Sequence, residues 1–212
     1  VYRWLFTDHG HLQLTASLLN LAQRQATEED PKEVYRASVS RVESIALVHE
    51  QLYMDERFGQ VSLEGYLTEL CARLEQTYGV SIAREIRLAH VDQVTLDFAV
   101  PLGLIVNELV SNAAKHRTSA SGPAGRSGRR GTDIRFTATD DTEHLRLTVW
   151  DPAASVPADF DTEANASMGF RILQALVAQL EGTSTADAAD GLSWRLSFPR
   201  PSNRVAHDPA AG

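Results

Sequence analysis

The stretch LGLIVNELVSNAAKH, residues 102–116, limits the possible folds more than any other part of the chain. Read as a helix, it places Glu108, Asn112 and Lys115 at i, i+4 and i+7, so a carboxylate, an amide and an ammonium line one stripe. Leu104, Ile105, Leu109, Val110 and Ala113 occupy the other faces and read as core. A helix apolar around most of its circumference has to be buried, so a domain must be built around it. Two readings fit the polar stripe alone. In one it is a solvated edge with an i, i+7 charge pair. In the other it is a nucleotide site, where the Asn112 oxygen holds Mg2+, Lys115 meets phosphate, and Glu108 orients or deprotonates an attacking group.

The rest of the chain supplies the domain. Residues 2–26 and 31–55 read as two long helices, the second with Val34, Val42, Ile45, Ala46, His49 and Leu52 at helical spacing. Its start is marked by Asp30 as N-cap, Pro31 at the first helical position and Glu33 closing a capping box. The link TEED is short enough to force an antiparallel hairpin. Val42, Ile45 and Leu52 would stay partly wet in a lone hairpin, so pairing of two hairpins into a four-helix bundle is expected. A helix over 62–79 ends at Gly79, and a strand-like segment, 80–88, follows. The apolar helix then runs from about Asp97 to His116. RTSASGPAGRSGRRG (117–131) reads as a surface loop. The alternating segments 133–140 and 144–151 read as a hairpin with one buried face. A helix over 168–181 and a strand over 192–199 complete an all-α region followed by an α+β sandwich with an antiparallel sheet.

Composition narrows the function. The chain has 212 residues, 43% of them hydrophobic and 23% charged, as in a globular protein. A net charge of −8 argues against non-specific attraction to polyanions, so no nucleic acid and no direct membrane contact are expected. The single cysteine, Cys71, excludes an internal disulfide and a cysteine-rich metal site, and reads as a buried structural thiol. No apolar run approaches the ~20 residues of a membrane span. The chain opens on Val1 without an initiator Met, as a fragment would, and a cytoplasmic location is the default expectation.

NELVSNAAKH resembles the N-box of the ATP-binding domain shared by histidine kinases, gyrase-type ATPases and Hsp90. RVESIALVHEQLY (41–53), VSLEGYLTEL and VPLGLIVNELVSNAAKH together resemble, more narrowly, the HisKA-2 (HWE-related) class of bacterial sensor histidine kinases, over roughly residues 5–199. The resemblance implies an α + (α+β) chain. Residues 1–58 would be a two-helix dimerisation and phosphotransfer hairpin, forming a four-helix bundle in the dimer. Residues 59–200 would be an α/β-sandwich ATPase domain, and 201–212 a flexible tail. It further implies ATP and Mg2+ as cofactors, a homodimer through the hairpin, and a response-regulator receiver domain as partner. By matching position, Glu108, Asn112 and Lys115 take the N-box roles, with Asn107 and His116 as neighbours.

Two further boxes match in part. Where the family has Asp-x-Gly-x-Gly, this chain has DPAAS, residues 151–155. Asp151, which in the family bonds the adenine amino group, is kept. Both glycines are replaced, by Ala153 and Ser155, and Pro152 removes a backbone donor. Glycine allows close backbone approach to a ligand, so these changes should distort or narrow the pocket floor and weaken or abolish nucleotide binding. SMGF, residues 167–170, keeps Gly169 ahead of a helix whose N-terminus can face phosphate; by itself it fits a helix-entry turn equally well. DFDTEANA (159–166) would be a very short ATP lid.

The phosphoacceptor histidine has two solutions. Aligning LQLTASLLN (12–20) without a gap puts Phe6 in the acceptor position, and phenylalanine cannot be phosphorylated. A gap after His11 lets LFTDHGH match the family's lead-in and makes His11 the acceptor, with five residues missing. Five residues turn a helix by about 500°, so a true deletion would swing His11 off its face. His9, three residues beyond Phe6, lies within about 60° of that face. Asp8 could take the ring proton of either histidine and fix its tautomer. Three functions follow: a kinase core using ATP, a phosphotransfer protein or pseudokinase of the same fold that does not, and a purely non-catalytic scaffold dimer.

Overall fold

The computed structural model describes residues 31–54, 60–119, 134–154 and 168–201. The expected helix 2–26, and with it Asp8, His9 and His11, lies outside these residues, as does DFDTEANA. The chain divides into two compact units, 1–43 and 44–212. The junction falls inside helix α1, Pro31–Met54, which begins at the proline that marked its start.

In the second unit, α1 presents a different face from the one expected. Ser44, Ile45, Leu47, Val48 and Leu52 are buried, whereas Ala46 is exposed and His49 half-buried. In the first unit Val42 and Tyr35 are exposed. The buried stripe is thus rotated by roughly one residue, ~100°, from the apolar pattern. Ser44 lies within this stripe and is engaged by two neighbouring helices, one at its hydroxyl and one at its backbone carbonyl.

Short β1 (Gln60–Ser62) leads into α2 (Leu63–Tyr78). Ser62 caps α2, its hydroxyl accepting from the Gly65 N–H at 3.3 Å, and Gly79 ends it at φ 65°, a left-handed conformation that glycine adopts without penalty. Strands β2 (Ile82–Arg87) and β3 (Gln93–Thr95) follow, β3 pairing antiparallel with β1. Next come α3 (Leu96–Ser119), β4 (Ile134–Asp140), β5 (His144–Asp151), α4 (Met168–Gln179), β6 (Thr183–Asp187) and β7 (Leu192–Pro199). Arg117, Thr118 and Ser119 belong to α3, not to the loop expected from 117; the remainder of that loop to 131 is outside the described residues.

The main sheet has the order β2-β4-β5-β7-β6. It is mixed, not antiparallel as the sequence implied, because β2 pairs parallel with β4. A parallel neighbour requires a crossover, and α3 supplies it. One face of the sheet is core: Ile134, Phe136 and Ala138 of β4, Leu145, Leu147 and Val149 of β5, and Leu196 and Phe198 of β7 are all nearly fully buried. Phe98 of α3 meets Phe198 edge to face, with centroids 6.2 Å apart, and α4 turns Ile172, Leu173, Leu176 and Val177 inward. The opposite face carries Arg135, Arg146, Trp150 and Arg195, with Arg135 lying 4.9 Å over the Trp150 ring. Helices therefore cover one side of the sheet, as in an α/β sandwich.

Leu96–Lys115 is long and apolar enough, by composition alone, to cross a membrane, against the expectation that no run approached that length. Within the protein 83% of that stretch is buried, which accounts for its hydropathy as that of a core helix.

Candidate functional site

Helix α3 presents the polar stripe as the spacing requires. Glu108 is 2% exposed, and Asn112 and Lys115 are half-buried, so the stripe runs from the core toward solvent along α3. The exposed-edge reading therefore fails for Glu108. A buried carboxylate on an apolar helix is rare without a partner or a task. The His116 side chain lies outside the described structure.

Asn107 does not join this stripe. It lies about 100° around the helix from Glu108, is fully buried, and donates its Nδ2–H to the Ser44 hydroxyl on α1 at 2.9 Å. Tyr66 of α2 reaches the same residue, its hydroxyl donating to the Ser44 carbonyl at 3.4 Å. The phenol reaches Ser44 by crossing the α3 backbone at Gly103, where a Cβ would stand 1.7 Å from the Tyr66 oxygen. Gly103 is one turn before Asn107 on the same face, so three helices meet at one knot. Burial pushes the Tyr66 phenol far above its ordinary range, with Cys71 adding in the same direction, and it stays a neutral donor. The alternation of apolar residues could not reveal this knot, since its members are polar or glycine.

Asp151 ends β5 on the same face as Val149 and Leu147, and is 2% exposed. The chain turns tightly after it. Its Oδ1 accepts the Ala153 N–H at 3.0 Å, and its carbonyl accepts the Ala154 N–H at 3.3 Å. Ala153 points to solvent, while Ser155 is outside the described residues. The turn is seated on a glycine that the box comparison overlooked. Gly191, at φ 76°, passes so close that a Cβ there would be 2.3 Å from the Asp151 carbonyl oxygen and 2.7 Å from the Pro152 Cα. The Asp190-Gly191 pair is a turn signal in its own right, and Asp190 accepts the Trp150 indole N–H at 2.7 Å. Gly169 is buried in the first turn of α4 and itself adds no side chain to the helix N-terminus.

These residues suit a nucleotide. Asp151 offers a buried acceptor at one end of the sheet, α4 begins with a glycine, and α3 supplies an amide and a cation. Among the described residues no group of three or more His, Cys, Asp or Glu could hold a metal by itself. A Mg2+ would instead be held by the Asn112 oxygen together with phosphate, an arrangement that suits this ion.

Comparison with known proteins agrees with this geometry. Residues 10–78 match a family model described as histidine kinase, and residues 97–202 one described as histidine kinase-, DNA gyrase B- and HSP90-like ATPase. The sensor histidine kinase PdtaS of Mycobacterium tuberculosis is 32% identical over 180 residues, covering 82% of this chain and 34% of that protein. Its counterpart from Mycolicibacterium smegmatis is 30% identical over 178 residues, with the same coverage. The chain thus spans about a third of the length of these relatives. The histidine kinase domain of the Erythrobacter litoralis EL346 blue-light activated histidine kinase superposes with a TM-score of 0.63 at 20% identity, covering 89% of this chain and 93% of that one. A longer form of the same kinase gives 0.61 at 22% identity, covering 77% and 54%. With a helical region and a mixed α/β ATPase domain each matched in order along the sequence, the chain belongs to the histidine kinase family.

Proposed function

We propose that this chain is the kinase core of a two-component signalling protein, which phosphorylates one of its own histidines from ATP and passes the phosphoryl group to an aspartate of a response-regulator receiver domain. The observation that carries the reading is the α3 stripe: buried Glu108 followed by half-buried Asn112 and Lys115, on the ATPase domain whose sheet ends in buried Asp151. Asp151 would accept a hydrogen bond from the adenine amino group. Lys115 would neutralise phosphate charge, the α4 N-terminus at Gly169 would face phosphate, and Asn112 would hold Mg2+, which offsets charge on the phosphates.

The acceptor is His11, with His9 the alternative. Its imidazole nitrogen attacks the γ-phosphorus in line, the bond to the bridging oxygen breaks, and ADP leaves. The ring proton passes to one carboxylate, either Asp8, three residues before His11 and next to His9, or Glu108; the carboxylate that does not take it orients the attacking group. The phosphoramidate formed is high in energy and transfers readily to a carboxylate. The chain would act in the cytoplasm as a homodimer through its 1–58 hairpin, with residues 59–200 as the ATP-binding domain.

One observation favours a second reading, a phosphotransfer protein or pseudokinase that works without ATP. Alanine stands at 153 where the family box has glycine, and the resulting turn already engages an Asp151 oxygen. Incubation with γ-labelled ATP and Mg2+ separates the two. Acid-labile, base-stable label that is lost in His11→Ala and kept in His9→Ala is the kinase result. An unlabelled chain that binds no nucleotide by calorimetry refutes it, and uptake of phosphate from a phosphorylated receiver would then identify the relay.

A further inference from the structure

The core face of the sheet is not uniformly covered. Along β7, Phe198 is 0% and Leu196 2% exposed, but Trp194 and Leu192, next on the same face, are only half-buried. The register pairs Leu192 with Asp151 and Trp194 with Val149. Trp194 therefore sits diagonally across from Asp151, within reach of a large side chain. The cover over this face is thus thinner at the end where Asp151 lies than at Phe198. Phe170, in the first turn of α4 and also half-buried, rests against the Trp194 ring with centroids 5.8 Å apart and planes tilted by 45°. The two rings are in direct contact, so a planar ligand cannot pass between them and would have to stack on an outer face of the indole.

A carboxylate acceptor next to a half-exposed indole is the pairing that a nucleobase requires: an edge to read and a flat apolar face to cover. Resting on the kinase reading above, we propose that Trp194, backed by Phe170, is the platform on which the base stacks, holding it where Asp151 can select a purine with its amino group at C6. Asp151 reads the exocyclic amino group at the edge, and the indole covers the ring. Phe170 keeps the indole in place by packing on it, a positioning role. The stacking surface also explains how a box without its glycines retains a base, because the lost backbone approach is replaced by contact from the strand opposite.

The test is ATP binding by the full chain, measured by calorimetry and by tryptophan fluorescence. The wild-type protein should bind ATP and show quenched emission, with GTP and CTP weaker. Trp194→Ala should weaken ATP binding on the order of tenfold, from the loss of one base–aromatic stack. Trp194→Phe should stay within about threefold while the quench disappears, since Trp4 and Trp150 remain as emitters. Trp194→Leu, which keeps bulk and removes the π face, should lose as much as Trp194→Ala and serves if the alanine variant unfolds. Binding by Trp194→Leu as tight as wild type, or tighter binding by Trp194→Ala, overturns the proposal and makes the ring pair a plug. No ATP binding by the wild-type chain overturns the kinase reading and the platform together.

Discussion

Replacing Gly103 with alanine probes the knot at Ser44 directly. A Cβ at 103 would lie 1.7 Å from the Tyr66 hydroxyl oxygen, 2.8 Å from its Cζ and 3.4 Å from its Cε1. Ordinary contact needs more than 3 Å, so the phenol must withdraw by over an ångström, although Tyr66 is 0% exposed and has packed neighbours on every side. Overpacking of this kind costs about 1–3 kcal/mol. Withdrawal also breaks the long bond to the Ser44 carbonyl, a further loss of about 0.5–1.5 kcal/mol. Alanine returns about 1 kcal/mol through its better helix propensity. The net destabilisation is about 0.5–3.5 kcal/mol, read as a shift of the urea midpoint at constant m. Tyr66→Phe on the same background removes the atom at 1.7 Å and leaves a 2.8 Å contact that small shifts relieve. The double variant should therefore be more stable than Gly103→Ala, although Tyr66→Phe alone is destabilising. A Gly103→Ala protein as stable as wild type, or no rescue by phenylalanine, would refute the account of this crossing.

Other perturbations test separate parts of the molecule. Asp140 accepts the N–H groups of Ala89, His90 and Val91 at 2.6–2.7 Å; partial burial pushes its carboxyl up, but the backbone bonds outweigh this and hold it below the usual range. Its stabilisation is therefore present above the unfolded value near pH 4 and lost as pH falls through the lowered folded value. Asp140→Asn should cost about 1–2 kcal/mol at pH 7, reduced by exposure, and its deficit in melting temperature should shrink below pH 4. Burial, eased by Arg84 and reinforced by Glu75, raises the Cys71 thiol to about 12, so an aromatic disulfide reagent at pH 8 should react with it only after denaturant is added. Gly191→Ala would press a Cβ onto the Asp151 backbone from a left-handed position, and should cost about 2 kcal/mol or more in a thermal melt and weaken ATP binding as well.

What the sequence disclosed follows the strength of each physical signal. The Glu108, Asn112 and Lys115 stripe was legible because three polar residues interrupt a long apolar helix at one angle. The end of α2 was legible from Gly79, and β4 and β5 from their alternation. Strands β1 and β3 are three residues each, too short for a period to register. Strand β6, Thr-Ser-Thr-Ala-Asp, is a polar edge strand with no buried residue to mark it, and the helix expected to run to 181 stops at Gln179 to make room for it. The parallel pairing of β2 with β4 depends on a crossover, which no local pattern encodes. At the site, Asp151 and Gly169 came from motif position. Gly103, Gly191 and Trp194 matter through neighbours distant in sequence, and neither spacing nor composition carries that information.

The mixed topology also bears on how the protein comes to exist. The antiparallel pairs β4–β5 and β6–β7 join segments close in sequence, and β2 can complete the sheet only by bridging from Arg87 to Ile134. Closing so long an excursion carries an entropic cost that local pairs do not. The segment that shortens the excursion is α3 itself, since a docked helix replaces a floppy chain with a rigid strut. The helix that presents the candidate nucleotide residues thus also forms part of the long connection through which β2 and β4 come to lie side by side.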